Sequence, residues 1–232
     1  MGTDIRLLST LALKGAVEQL AGRYEAMSGT RIDADFAPTL GLLARLRGGG
    51  ETADLVILTR EGLDELAAEG RVVADGMVDL ARSFVGIAVK AGAAYPDVAS
   101  EPALRATLLG ARRVAYSRMG ASGILLAQLI ARMGIAAEVN ARAVVVPQGL
   151  TAERLVTGEA DLAVQQISEL KQVAGIEIVG PIPLELQTPA VFSAGCMARS
   201  PRLAEADRLL RYLASADVAP LLRDAGLEPC AA

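Results

Sequence analysis

Four short turns of this chain place hydroxyl, guanidinium and amide groups directly after strand-like runs. The first is Leu8-Ser9-Thr10, ahead of a long amphipathic stretch. Hydroxyls and backbone N–H groups at a helix start hold an anion without a formal charge; the same residues also serve as plain N-caps. Ala37-Pro38-Thr39-Leu40 repeats the arrangement after Phe36, where Thr39 either caps the next helix or donates to a ligand. The third turn, Tyr116-Ser117-Arg118-Met119-Gly120-Ala121-Ser122-Gly123, combines glycines that let backbone approach a ligand closely with two hydroxyls, Ser117 and Ser122, around Arg118. The planar guanidinium fork matches a carboxylate bidentately, although a surface ion pair is the plainer role for Arg118. The fourth turn is Gln165-Gln166-Ile167-Ser168. Two neutral amides are costly to bury without partners and offer a ligand both donors and acceptors; the plainer arrangement leaves one in solvent and bonds the other to a loop carbonyl. Gln148, after Val144-Val145-Val146-Pro147, is a further candidate. No Gly-Lys-Ser/Thr follows the third turn, so it is not a P-loop.

Composition removes several chemistries. The chain has no histidine and two cysteines, Cys196 and Cys230. A structural zinc site needs about four Cys/His ligands, and Ser-His-Asp or Cys-His catalysis needs an imidazole. No metal and no cofactor are expected. Hydrophobic residues make up 52% of the chain but aromatics only 3%, with no Trp, so Ala, Leu, Val and Ile must fill the core and base-stacking platforms are absent. The formal charge of −4 comes without a basic run, which argues against a nucleic-acid partner. No apolar run reaches the ~18 residues of a membrane span. The start, Met1-Gly2-Thr3-Asp4-Ile5-Arg6, lacks the three regions of a secretory leader. Location is therefore cytoplasmic as written, or periplasmic if a leader has been removed.

Positioning those turns requires alternating strands and helices. Ile5–Leu8, Arg31–Phe36 and Ala53–Leu58 read as strands, with helices over Leu11–Ser28, Leu40–Arg47 and Arg60–Glu69; Gly48-Gly49-Gly50 stops the second. This order predicts a parallel sheet covered on both faces. Asp79–Val89 reads as one long strand. A second series follows: strand Arg113–Tyr116, helix Ile124–Met133, strand Ala143–Val146, helix Thr151–Val156 and strand Leu162–Gln165. Leu186–Met197 reads as a long returning strand, before closing helices over Arg202–Ser215 and Ala219–Ala225. Two long crossovers predict two lobes, residues 1–82 with 187–232 and residues 83–186, with a ligand in the cleft they form. A single doubly wound domain is the alternative.

The segment Gly158-Glu159-Ala160-Asp161-Leu162-Ala163-Val164-Gln165-Gln166, taken with Ser9-Thr10 and Ala37-Pro38-Thr39, resembles the molybdate-binding type of periplasmic solute-binding protein over nearly the whole chain. The resemblance implies an α/β, two-lobed, type 2 periplasmic-binding-protein-like fold with two hinge crossovers. It also implies a small anionic ligand and, for an exported chain, ABC transporter membrane subunits as partners. In that family hydroxyls and backbone amides of the first two turns meet the second lobe across the cleft. Three departures are visible. The family's Ala-Ala-Ser-Leu-Thr-like first turn is here Ser9-Thr10-Leu11-Ala12, a Tyr becomes Gln166, and Arg118 brings a charge where neutral donors are usual. They favour an organic carboxylate over molybdate. A few relatives of this kind are isomerases of unsaturated tricarboxylates such as aconitate, so a cofactor-independent isomerase is the alternative to a binder. Tyr116, Glu185 and Lys14 are its candidate acid/base groups.

Overall fold

A computed structural model describes residues 4–230; residues 1–3 and 231–232, at the ends of the expected first lobe, lie outside the described residues. The chain forms two compact units. One comprises the residues up to Ser83 together with those from Ala190 onward, and the other is Phe84–Pro189. The chain thus passes from one unit to the other twice.

Unit 1 opens with β1 (Ile5–Ser9), a 3-10 turn over Leu11–Leu13, α1 (Lys14–Ser28), β2 (Ile32–Phe36), α2 (Thr39–Arg47), β3 (Leu55–Thr59), α3 (Arg60–Ala68) and β4 (Val78–Ser83). Unit 2 runs through β5 (Val85–Lys90), α4 (Glu101–Gly110), β6 (Val114–Tyr116), α5 (Ala121–Arg132), α6 (Ala136–Ala141), β7 (Ala143–Val145), α7 (Glu153–Val156), β8 (Leu162–Gln166), α8 (Ile167–Leu170) and β9 (Ile176–Pro181). The chain then returns to unit 1 as β10 (Ala190–Cys196), α9 (Leu203–Leu213), α10 (Ala219–Asp224) and β11 (Glu228–Pro229).

Unit 1 has a six-stranded sheet in the order β11-β4-β10-β3-β1-β2. Its β1, β2 and β3 are parallel, but β10 runs antiparallel to both β3 and β4, so the sheet is mixed rather than parallel. The reason is connectivity: β10 arrives from unit 2 without a crossover helix to reverse its direction. Successive residues of the central strands supply opposite faces. Leu7 and Ile57 pack with Val17, Leu20 and Leu209; Leu8, Val56 and Leu58 pack with Leu42, Leu43 and Leu63. Unit 2 repeats this plan in a five-stranded sheet, β7-β6-β8-β5-β9. Ile87, Val114 and Val164 meet Leu126 and Leu129 on one face, while Ala88, Ala115 and Ala163 meet Leu155 and Leu170 on the other.

The two long strands read from sequence are each divided. Asp79–Val89 breaks after Ser83, β4 joining the six-stranded sheet and β5 the five-stranded one. Leu186–Met197 begins with a 3-10 turn over Leu184–Leu186 and becomes strand only at Ala190, after Pro189, which has no N–H for a ladder.

A topological motif occurs twice without a visible sequence repeat. In unit 1 the chain starts on β1, goes to β2 on one side and then to β3 on the other; in unit 2 it starts on β6, goes to β7 and then to β8. Each starting strand is a switch point, and in open α/β sheets ligands gather beyond the carboxyl end of such strands.

Candidate functional site

Beyond β1 lie Ser9 and Thr10, both buried. Ser9 Oγ donates to the Thr10 carbonyl at 3.1 Å, and the Thr10 N–H donates to the Ile57 carbonyl at 3.0 Å. Thr10 is the N-cap of the 3-10 turn but makes no side-chain cap bond, and its Oγ1 is buried with no hydrogen-bond partner. The neighbouring turn is held alongside: Ser9 pairs with Phe36 in the ladder, and the Ala37 N–H donates to the Ser9 carbonyl at 3.1 Å. Thr39 is buried as the first residue of α2, behind Pro38, and no side chain caps that helix. The structure therefore brings Ser9, Thr10 and Thr39 together at two helix starts whose first N–H groups lack intrahelical acceptors. Lys14, the first residue of α1, has its Nζ 5.9 Å from the centroid of the Phe36 ring and 2.8 Å from Glu18 Oε1.

Beyond β6, Ser117 and Ser122 are buried and Arg118 is exposed. Ser117 Oγ accepts from the Met119 N–H at 3.2 Å. Gly120 caps α5 without a side chain. A Cβ at Gly123 would lie 1.3 Å from the Ser117 carbonyl oxygen, so the helix start is pressed directly onto the strand end. Arg118 curls back over Tyr116: Nε and Nη2 lie 3.4 and 3.3 Å from the phenol oxygen, and Nη2 reaches Asn140 Oδ1 at 3.2 Å. The Tyr116 hydroxyl in turn donates to Asn140 Oδ1. No carboxylate pairs with Arg118 among the described residues. A guanidinium held by neutral groups keeps its charge available to an anion.

The remaining sequence candidates cluster at the ends of β7 and β8. The Val146 N–H bonds the Tyr116 carbonyl at 2.9 Å, leading into exposed Gln148. Gln165 is buried and fully engaged: Oε1 accepts from the Thr151 N–H at 2.7 Å and Thr151 Oγ1 at 2.9 Å, and Nε2 donates to the Gly149 carbonyl at 3.3 Å. Gln166 caps α8 in a capping box with Glu169, whose Oε2 accepts the Gln166 N–H at 3.2 Å. Arg118 directs its bonds to Tyr116 and Asn140, not to these amides. Of the acid/base candidates, Tyr116 is packed into the core, Lys14 is ion-paired and Glu185 is exposed in the 3-10 turn before Gln187.

Three residues of this region were not singled out from the sequence: Asn140, Thr151 and Glu169. Glu169 is the most unusual. Its carboxyl is buried, and that desolvation pushes its pKa up to about 8, opposed by the bonds from the Gln166 N–H and the Gln165 side chain. Its sequence signal was a Glu three residues after a helix start, hidden because the N-cap is Gln rather than Ser, Thr, Asp or Asn. Among the described residues no group of three or more His, Cys, Asp or Glu is arranged to hold a metal ion, and no helix is long and apolar enough to cross a membrane.

The mixed sheets and the doubled strand motif define a type 2 periplasmic-binding-protein-like fold. The chain belongs to the bacterial extracellular solute-binding protein family, whose sequence pattern matches residues 5–228. An aconitate isomerase from a Pseudomonas species is 37% identical over 232 residues, covering 98% of this chain and 88% of that protein. Among solved structures, the Azotobacter vinelandii periplasmic molybdate-binding protein superposes with a TM-score of 0.81 at 18% identity, covering 96% of this chain and 98% of that one. The sulfate-binding protein SubI from Mycobacterium tuberculosis H37Rv gives 0.77 at 18% identity, covering 98% of this chain and 87% of that one. At such identities the likeness to the solved structures is one of fold.

Proposed function

We propose that this chain binds a small organic carboxylate at the strand-end turn of unit 2 that carries Ser117, Arg118 and Ser122; within unit 1, the turns that carry Ser9, Thr10 and Thr39 offer donors of the same kind. The observation that carries the reading is Arg118. Its guanidinium stands at the end of a switch strand beside an uncapped helix start, with only neutral groups around it. Such a site suits a planar, bidentate anion. Gln148 is the exposed amide available to orient the ligand, Gln166 holds the start of α8 in its capping box, and Gln165 braces the turn that carries Gly149 and Thr151. Where the chain is exported, its partners are the membrane subunits of an ABC transporter. A thermal-shift panel of molybdate, sulfate, dicarboxylates and tricarboxylates separates the ligand classes, because stabilisation grows with ligand concentration over Kd. The carboxylates should raise the melting temperature most. Arg118→Ala should weaken the best carboxylate about 10- to 100-fold by calorimetry, about 1.4–3 kcal/mol. Unchanged affinity removes Arg118 from the site and the reading loses its support.

The 37% identity to an aconitate isomerase favours a second reading. Here the bound ligand is an unsaturated tricarboxylate that undergoes a proton shift. A C–H proton is removed, the double-bond electrons relocate, and a proton returns at the other end of the allylic system, with no redox change and no cofactor. Incubating the chain with cis-aconitate in deuterium oxide should then yield the trans isomer carrying deuterium. Tight binding with neither isomerisation nor exchange would make the chain a carrier or sensor.

A further inference from the structure

Many of the described arginines sit against a carboxylate, as Arg45 does with Asp35 and Glu51, and Arg112 with Asp161. Others, Arg105 and Arg142, direct their N–H groups to backbone carbonyls. Arg118 does neither. Its guanidinium is held by two side chains that carry no charge, and the direction of each bond follows from the others. Nε and Nη2 both donate to the Tyr116 phenol oxygen, at 3.4 and 3.3 Å. With its oxygen accepting from the guanidinium, that hydroxyl sends its own proton to Asn140 Oδ1. Nη2 donates to the same amide oxygen at 3.2 Å, so Asn140 faces two donors and presents its oxygen rather than its NH2. Tyr116 is 1% exposed and packed into the core of unit 2, which makes its hydroxyl a fixed post. The guanidinium carbon lies 5.9 Å from the centroid of the same ring. Asn140, near the end of α6, closes the clamp from a second element. Nη1 takes part in none of these bonds and keeps its N–H groups for a ligand.

From this geometry we infer that Asn140 is a specificity-determining residue of the Arg118 site: its neutral amide, with the Tyr116 hydroxyl, fixes the guanidinium without neutralising it. A ligand carboxylate then meets a full positive charge already in place. The inference deepens the carboxylate reading above and rests on it. Asn140 touches Arg118 rather than the ligand, so it acts as a positioning residue. The chemistry of the position explains why an amide suits it. An aspartate there would accept the same two hydrogen bonds and make the one from Arg118 charge-assisted. It would also oppose the field that an incoming anion feels, because two carboxylates would compete for one cation. By remaining neutral, Asn140 forgoes an ion pair that adds little stability at an exposed position, and the cation stays available for recognition. An alanine would leave the charge in place but release one restraint, so that ordering the guanidinium would fall to the ligand.

The test is calorimetric binding of trans-aconitate to the full chain and to Arg118→Ala, Asn140→Asp and Asn140→Ala, each also melted without ligand. Asn140→Asp should bind about 10- to 100-fold more weakly than wild type, as Arg118→Ala does. Asn140→Ala should lose less, about 3- to 10-fold, because the charge survives. The melting temperature of Asn140→Asp without ligand should stay within about 3 °C of wild type. The order of the two Asn140 variants carries the test. A purely structural amide would be replaced best by aspartate, its isostere, and worse by alanine; the inference requires the reverse order for affinity. Asn140→Asp binding as tightly as Asn140→Ala, or more tightly, therefore overturns it. So does a loss of affinity in Asn140→Asp accompanied by a fall of more than about 5 °C in free-state melting temperature, which assigns the loss to folding. If wild type fails to bind trans-aconitate, or if Arg118→Ala binds it as wild type does, the inference falls together with the reading it rests on. If Arg118→Ala weakens binding and Asn140→Asp does not, the reading stands and the inference alone is wrong.

Discussion

Replacing Gly123 by Ala is expected to be among the most damaging single-methyl changes in unit 2. A Cβ there would lie 1.3 Å from the Ser117 carbonyl oxygen and 2.5 Å from its carbon. Neither atom belongs to a flexible side chain, so no rotamer change relieves the clash. Either α5 withdraws from the end of β6 or the strand end is pushed out of register with β7 and β8. The helix buries Leu126, Leu129 and Ile130 against that sheet, and withdrawing it opens this interface. A loss of about 4 kcal/mol or more is expected in urea unfolding, in the range reserved for core disruption. The start of α5 also carries Ser122, so carboxylate affinity should fall even at temperatures where the variant remains folded. A variant within about 1 kcal/mol of wild type, binding normally, would mean that the close approach is absent in solution.

Glu169→Gln should have the opposite sign at alkaline pH. In the folded chain burial raises the carboxyl's pKa to about 8, from an ordinary 4.5. The folded state therefore holds a proton that the unfolded state has released across that interval. Stability from this group is intact below about pH 4.5, falls as pH rises, and is lost once the pH passes about 8. Buried groups relax and admit water, so the expected cost at the alkaline end is about 2–5 kcal/mol. Glutamine keeps an oxygen for the Gln166 N–H but carries no charge at any pH. Denaturation at pH 5 and pH 8.5 should show the stability difference, variant minus wild type, growing by that amount. Other titrating groups cancel in the difference. Parallel pH profiles for the two proteins would show that the carboxyl is solvated or paired.

How much of this was legible in the sequence depended on whether a local signal existed. Leu162–Gln165 was readable because a short apolar run follows Gly158 and ends in polar amides, and β8 occupies Leu162–Gln166. The stop of α2 was readable from its glycines, and the helix ends at Arg47 with Gly48 as its cap. The break after Ser83 was not readable. Leu80 and Val85–Val89 keep strand-like character on both sides, with no Gly or Pro between Ser83 and Val85, and only the choice of sheet separates them. Strand β9 has no clear signal because it runs through Gly180 into Pro181, residues that interrupt most strands but that an edge strand tolerates. The helix α6 was missed for lack of length, and with it Asn140. The hydroxyl and guanidinium turns were found as residues, but their partners were not. Arg118 is spaced two residues from Tyr116 and 22 from Asn140, and no periodicity in the sequence links that triplet.

The Gln165 bridge bears on the entropy of recognition. Its amide holds both the N–H and the hydroxyl of Thr151 and the carbonyl of Gly149, the turn adjoining Gln148. A glycine-bearing turn left untethered would sample many conformations, and a ligand would have to freeze it on arrival. Tied down in this way, that turn gives up its freedom when the chain folds, before any ligand is present. The ordering penalty then falls on folding rather than on association, which leaves more of each contact's energy to appear as affinity.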